Sequence, residues 1–123
     1  VATVALRRDT FDEAVGAPGV VLVDFWASWC GPCRMFAPIF ESASEAHGDV
    51  VFAKVDTEAE PELASRFGIM SIPTLMVFRD GVLLYAQAGA LPAAALERLI
   101  ATVEGLDMDD VRRQVQEQAG VAP

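Results

Sequence analysis

The sequence predicts an α/β domain built on a central mixed sheet of about five strands flanked by helices, with one extra helix at the C-terminus. Three observations predict it. Val20-Val21-Leu22-Val23-Asp24-Phe25-Trp26 and residues 50–55 are almost unbroken apolar runs, as strands covered on both faces require. Between the strands, apolar residues recur at three- and four-residue spacing, the period of a helix lying on a sheet. Asp80-Gly81 separates two further strand-like runs, the sign of a tight antiparallel hairpin.

Each element can be justified in order. Residues 3–6 read as a short first strand. Thr10-Phe11-Asp12-Glu13 has the capping-box pattern, so a short helix is expected to follow to about Val15, broken by Ala17-Pro18-Gly19. The apolar run ending at Trp26 is the central strand. A helix is expected to start near Cys33, with Met35, Phe36, Ile39, Phe40 and Ala43 facing inward, a kink at Pro38 and an end at Gly48. Residues 50–55 form the next strand, and residues 61–67 a short helix with Pro61 in its first turn. Residues 74–78 and 82–87 make the hairpin. Residues 92–104 read as a helix with Leu96, Leu99, Ile100 and Val103 inside. The order is βαβαβαββα over residues 1–105. Residues 106–123 form the helical extension, in which Asp107 is expected to cap a helix from Met108 to about Ala119. Met108, Val111, Val115 and Ala119 make its narrow apolar stripe, and Asp109 sits four residues before Arg113, a favourable helical pair.

Composition narrows the function classes. A chain of 123 residues is one domain and needs no disulfide or metal to fold. A net charge of −9 disfavours nucleic acid and anionic membrane as partners. The apolar runs are too short to span a bilayer, and no basic stretch followed by an apolar core opens the sequence, so no export signal is read there. No metal site is expected, because two cysteines and the distant His47 fall short of the four ligands of tetrahedral zinc.

The most informative feature is Cys30-Gly31-Pro32-Cys33, which holds the only two cysteines. A ring this short removes little chain entropy, so its value is chemical rather than structural. Strand, tight turn and helix place Cys30 at a helix N-terminus, where free amides and the helix dipole favour a thiolate and draw the thiol pKa down. Cys33 lies three residues later on the same face, within disulfide reach. Cys30 is read as the nucleophile and Cys33, flanked by Pro32 and the helix and the more buried of the two, as the resolving thiol. Asp24 interrupts the apolar central strand. Burial there would raise its pKa toward neutrality and make it a proton acceptor for Cys33; the alternative is a strand-end carboxyl bonded to backbone. Lys54, the only lysine, falls on the neighbouring strand, where its ammonium would hold Asp24 and tune it, or else stay solvated. Trp26 reads as core packing and Arg34 as a solvent-facing helix residue.

Trp29-Cys30-Gly31-Pro32-Cys33 resembles the active site of the thioredoxin family, itself one of the groups behind the rule for thiols at helix ends. Residues 21–27, Ala53-Lys54-Val55-Asp56, Gly68-Ile69, Ile72-Pro73-Thr74, Phe78, Asp80-Gly81 and Gly89-Ala90-Leu91 follow the family order over about residues 3–104. The resemblance implies the thioredoxin fold and a protein disulfide reductase, with Gly31-Pro32 as in reducing members. It implies that Asp24 acts through a water, that Pro73 is cis and faces the dithiol, and that the Ile72 backbone pairs with an extended substrate segment. Trp29, Ile72, Pro73, Gly89 and Ala90 would form an apolar, uncharged rim around Cys30. The implied partners are disulfide-containing proteins and an NADPH-dependent thioredoxin reductase. No prosthetic group is implied, the location is cytoplasmic, and the chain acts as a monomer, with a weak dimer through the C-terminal helix as a further option. Met70 and Ser71 stand where some relatives carry Arg and Gly. Two alternatives stay open: an oxidase or isomerase of an exported compartment, and a redox-linked, chaperone-like binding module without turnover.

Overall fold

The computed structural model describes residues 2–121, with side chains through Ala119. Its elements are β1 (Thr3–Ala5), α1 (Phe11–Gly16), β2 (Val20–Trp26), α2 (Gly31–Ala46), β3 (Val51–Asp56), α3 (Pro61–Arg66), β4 (Thr74–Arg79), β5 (Val82–Ala88), α4 (Ala93–Glu104) and α5 (Met108–Val121). The five strands form one sheet in the order β1-β3-β2-β4-β5. β1 and β2 pair parallel with β3, and β4 pairs antiparallel with both β2 and β5, so the sheet is mixed as expected.

β2 is central and covered on both sides, which explains its continuous apolar sequence. Strand alternation divides the core. Val20 and Leu22 pack with Phe36, Phe40, Leu96 and Ile100 from α2 and α4. Val21, Val23 and Phe25 face the other way, onto Phe11, Val15 and Leu63 from α1 and α3. By the same alternation Asp24, Lys54 and Trp26 belong to the α2 side. Asp24 lies opposite Lys54 on β3 and Leu75 on β4.

Several local expectations are corrected. Thr10 does not close a capping box: its side chain makes no cap bond, and its hydroxyl instead accepts from the Arg7 amide at 2.9 Å. α2 begins at Gly31, two residues earlier than the periodicity suggested, because Cys30 itself is the N-cap. Met35 is 73% exposed. Cys33, Phe36, Phe40 and Ala43 already fill the sheet-facing stripe of that helix, and Met35 falls outside it. In α5, Arg113 pairs with Asp110 and Arg112 with Asp109, each three residues away, instead of the Asp109–Arg113 pair.

The tight turn at Asp80-Gly81 has both residues at positive φ, 53° and 81°, as a two-residue hairpin demands. It also organises the C-terminal joint. Arg79 donates to the carbonyls of Val103 (2.8 Å), Glu104 (3.2 Å) and Leu106 (2.9 Å), satisfying the free end of α4. Asp107 caps α5 by accepting from the amides of Asp109 and Asp110. Asp80 accepts from the Gly19 amide at 2.8 Å and lies 3.8 Å from Arg112. Of the apolar stripe on α5, Met108 is buried, Val111 half-buried and Val115 exposed. Among the described residues, the helix is therefore fastened to its own domain near its start, through Met108, Val111 and the Arg112–Asp80 ion pair. Because Arg79 pairs with Val20 at the start of β2, this joint lies at the opposite end of the sheet from the cysteines.

Met108→Gln should lower stability by about 1.5–3 kcal/mol through lost burial, whereas Val115→Gln should stay within roughly 0.5 kcal/mol of wild type. Urea unfolding of the two variants checks this difference.

Candidate active site

β2 ends at Trp26, and the chain turns through Ala27, Ser28 and Trp29 into α2. The Cys30 amide donates to the Ala27 carbonyl at 3.2 Å, and the Arg34 guanidinium donates to the Ser28 carbonyl at 2.9 Å. Arg34 is thus more than a solubility residue: it pins the turn. Cys30 has extended backbone angles, and its sulfur accepts from the Cys33 amide at 3.2 Å. The sulfur occupies the position a serine or aspartate oxygen takes at a helix start, facing the positive end of the helix dipole. Pro32 in the first turn lacks an N–H that would otherwise be unpaired. A Cβ on Gly31 would meet only the far end of Arg34 at 3.9 Å, so packing does not demand glycine there.

Cys30 and Cys33 are joined in a disulfide with Cα atoms 5.2 Å apart. Cys33 is the more buried of the two as expected, but by a narrow margin: it is 3% exposed and Cys30 4%. What separates them is their neighbours. Cys30 has exposed Trp29 and Pro32 close by in sequence, while Cys33 lies on the buried stripe of α2 with Phe36 and Phe40. Ala27, Trp26 and Ile72 pack around the pair.

The expected rim is brought together in part. Ile72–Pro73 is a cis peptide, and the Cys30 sulfur lies 3.6 Å from the Ile72 carbonyl oxygen. The Gly89 amide donates to the Pro73 carbonyl at 2.8 Å, which ties the loop carrying Gly89 and exposed Ala90 to the cis-proline. Gly89 adopts φ 113°, a conformation that side-chain-bearing residues rarely take. Ile72 is half-buried, Pro73 buried and Trp29 66% exposed.

The rim is not free of charge, as the sequence reading had it. The Trp29 indole N–H donates to the Glu58 carboxylate at 2.6 Å. Glu58 is held in turn: its amide donates to Asp56, and the neighbouring Thr57 bonds the Trp26 carbonyl through both its amide (2.9 Å) and its hydroxyl (3.0 Å). Sequence reasoning missed Glu58. The available signal was topological, since loops leaving the carboxyl ends of adjacent parallel strands converge.

Asp24 is completely buried, and neither carboxyl oxygen has a hydrogen-bond partner among the described residues. Burial pushes its pKa up to about 7, partly opposed by the charge of Lys54. Lys54 does not clasp the carboxylate, contrary to expectation. Its ammonium lies 4.9 Å from the centre of the Trp26 ring, a cation–π contact, and acts on Asp24 through its field alone. Trp26 is therefore shared between the core, the lysine and the dithiol.

A sulfur pair at a helix N-terminus, beside the Ile72 backbone and above a carboxyl that titrates near neutrality, is suited to reversible two-electron exchange with other disulfides. Among the described residues no cluster of three or more histidine, cysteine or acidic side chains is placed to hold a metal ion, and no helix is long and apolar enough to cross a membrane.

Comparison with known proteins agrees with this geometry. The family model described as thioredoxin matches residues 2–102. A relative from Streptomyces coelicolor, named as a thioredoxin, is 56% identical over 98% of this chain and 90% of its own length. Thioredoxin of Alicyclobacillus acidocaldarius is 48% identical over 83% of this chain and 98% of its own length. The crystal structure of a Malassezia sympodialis thioredoxin superposes with a TM-score of 0.73 at 35% identity, covering 81% of this chain and 89% of that one. The chain belongs to the thioredoxin family and, with its dithiol pair built at the head of α2, is a protein disulfide reductase.

Proposed function

We propose that Cys30 is the attacking thiol, Cys33 the resolving thiol and Asp24 the proton acceptor of this reductase. The observation that carries the assignment is the Cys30 sulfur at the N-cap of α2, 3.6 Å from the Ile72 carbonyl edge. The Cys30 thiolate attacks one sulfur of a substrate disulfide. The other substrate sulfur leaves as a thiolate and takes a proton. Cys33 passes its proton toward Asp24 and attacks the Cys30 sulfur, so the second substrate sulfur departs. The substrate gains two electrons and the protein ends as the Cys30–Cys33 disulfide, the form in which the pair stands here. Both Asp24 carboxyl oxygens are buried without a hydrogen-bond partner among the described residues, which supports a water as the relay from Cys33.

Lys54 tunes Asp24 by charge and braces Trp26. Gly31 and Pro32 keep the helix start compact, and Trp29, Ile72, Pro73, Gly89 and Ala90 receive the substrate segment, with the Ile72 backbone pairing in strand-like fashion. Disulfide-bearing proteins are the substrates. We assign regeneration to an NADPH-dependent thioredoxin reductase and the working place to the cytoplasm, where a reductase meets a reducing pool. Residues 1–105 form the redox domain and residues 106–123 an appended helix on a monomer; a weak dimer through the exposed half of α5 is the second option. The binding-module alternative is not favoured, since both cysteines of the chain are committed to a reversible bond.

Cys30→Ser should reduce insulin-disulfide turnover to the level of dithiothreitol alone, while Cys33→Ser should accumulate a mixed disulfide detectable on a non-reducing gel. Retained turnover in Cys30→Ser would reject the assignment.

Asp24 gives a pH signature. Unfolded, it loses its proton around pH 3.8; folded, it keeps it to about pH 7. Between these values the native state binds the extra proton, so stability contributed by the protonated form is lost as pH rises, by on the order of 4 kcal/mol across the window. Asp24→Asn should flatten the pH dependence of unfolding free energy of the oxidised protein between pH 4 and 7 and slow resolution about 100-fold at pH 7. Urea titrations across that range and rapid-quench measurement of mixed-disulfide decay provide the check.

A further inference from the structure

The four methionines fall into two pairs. Met76 and Met108 are buried and serve the core. Met35 and Met70 stand in solvent, although methionine ranks with the residues most often found inside. Both exposed thioethers accompany the exchange machinery: Met35 follows Cys33 by two positions, and Met70 precedes Ile72 by two. Met70 is 94% exposed, more than any other large apolar residue described.

That exposure is built into the fold, since the chain around Met70 is tied on both sides. The Ile69 amide donates to the Ala64 carbonyl at 2.9 Å, and the Thr74 hydroxyl donates to the Ser71 carbonyl. Two residues of chain span at most about 7 Å, so the Met70 backbone stays within that distance of Ile72. The state of the cysteines decides which sulfur an oxidant meets. Joined to each other, Cys30 and Cys33 leave no free thiol. In that form the thioether of Met70 is the sulfur most open to solvent among the described residues, with Met35 next.

We infer that Met70 is a reversible oxidation site through which peroxide slows the docking of protein substrates. A lone pair of the Met70 sulfur takes one oxygen atom from hydrogen peroxide, the O–O bond breaks, and the second oxygen leaves as water. The thioether loses two electrons and the peroxide gains them. A flexible apolar side chain becomes a polar, chiral sulfoxide, which a methionine sulfoxide reductase can return to the thioether. A segment pairing at Ile72 then covers a hydrated S=O group where it had covered an adaptable apolar one, and must strip its water. The dithiol itself is unchanged. This rests on the assignment of the Ile72 edge as the substrate-docking edge.

The test treats the full-length disulfide form with dilute hydrogen peroxide, removes the peroxide with catalase and reduces the dithiol with dithiothreitol, which leaves sulfoxides in place. Peptide mass mapping should find the first added oxygen on Met70, ahead of Met35, with Met76 and Met108 unmodified. The kcat/KM for insulin should fall about three-fold, as expected when one partly buried apolar contact is lost. It should recover after treatment with methionine sulfoxide reductases, and the rate on a small aromatic disulfide should not change. Each variant is compared with its own untreated sample: Met70→Leu should lose nothing, and Met35→Leu should lose as much as wild type. Oxidation of Met35 with Met70 spared, no loss on insulin, an equal loss on both substrates, or a loss that persists in Met70→Leu overturns the inference. A cystine peptide N-methylated at the residues flanking the cystine tests the docking edge by itself. Reduction as fast as that of the unmethylated peptide faults the pairing at Ile72 and removes the effect on docking with it, whatever the mass map shows at Met70.

Discussion

The site depends on one contact: the sulfur of Cys30 in the place of a helix-capping oxygen, accepting from the Cys33 amide. A capping group belongs to the geometry of the helix start, so the nucleophile is oriented by the same interaction that begins α2. The partner residue supplies the amide, so the two cysteines are linked by this hydrogen bond as well as by the disulfide. Helix formation and thiolate stabilisation are then the same event, and the chemistry needs no dedicated catalytic loop.

Around that contact the sheet sorts its neighbours by parity. The α2 side of the central strands receives Asp24, Lys54 and Trp26 in register, below the head of the helix. The opposite side carries an aromatic cluster, with Phe11, Phe25 and Phe67 packed at tilted angles. The buried carboxyl is a cost the fold carries on the functional side alone, and the aromatic cluster on the other face is well placed to offset it.

Much of this was legible in the sequence because it is local. The strand at Val20–Trp26, the turn at Asp80-Gly81, the helix-borne cysteine pair and the odd acid in an apolar run are each visible within a few residues. The misreadings arise where two or more segments meet. Thr10 loses its capping role because Arg7 competes for its hydroxyl. Met35 matches the helical period approximately, yet the stripe is already filled. Lys54 finds the Trp26 ring before it finds the carboxylate, and Glu58 becomes part of the site only because β3 ends beside β2. No periodicity encodes such encounters; they follow from sheet order.

The three carbonyls gathered by Arg79 have an outcome for the molecule as a whole. They clamp the root of the terminal helix at the end of the sheet opposite the sulfur pair, and farther along that helix Val115 is exposed. A contact made on the exposed side of that helix therefore falls away from the redox face, and the exchange edge stays open to traffic.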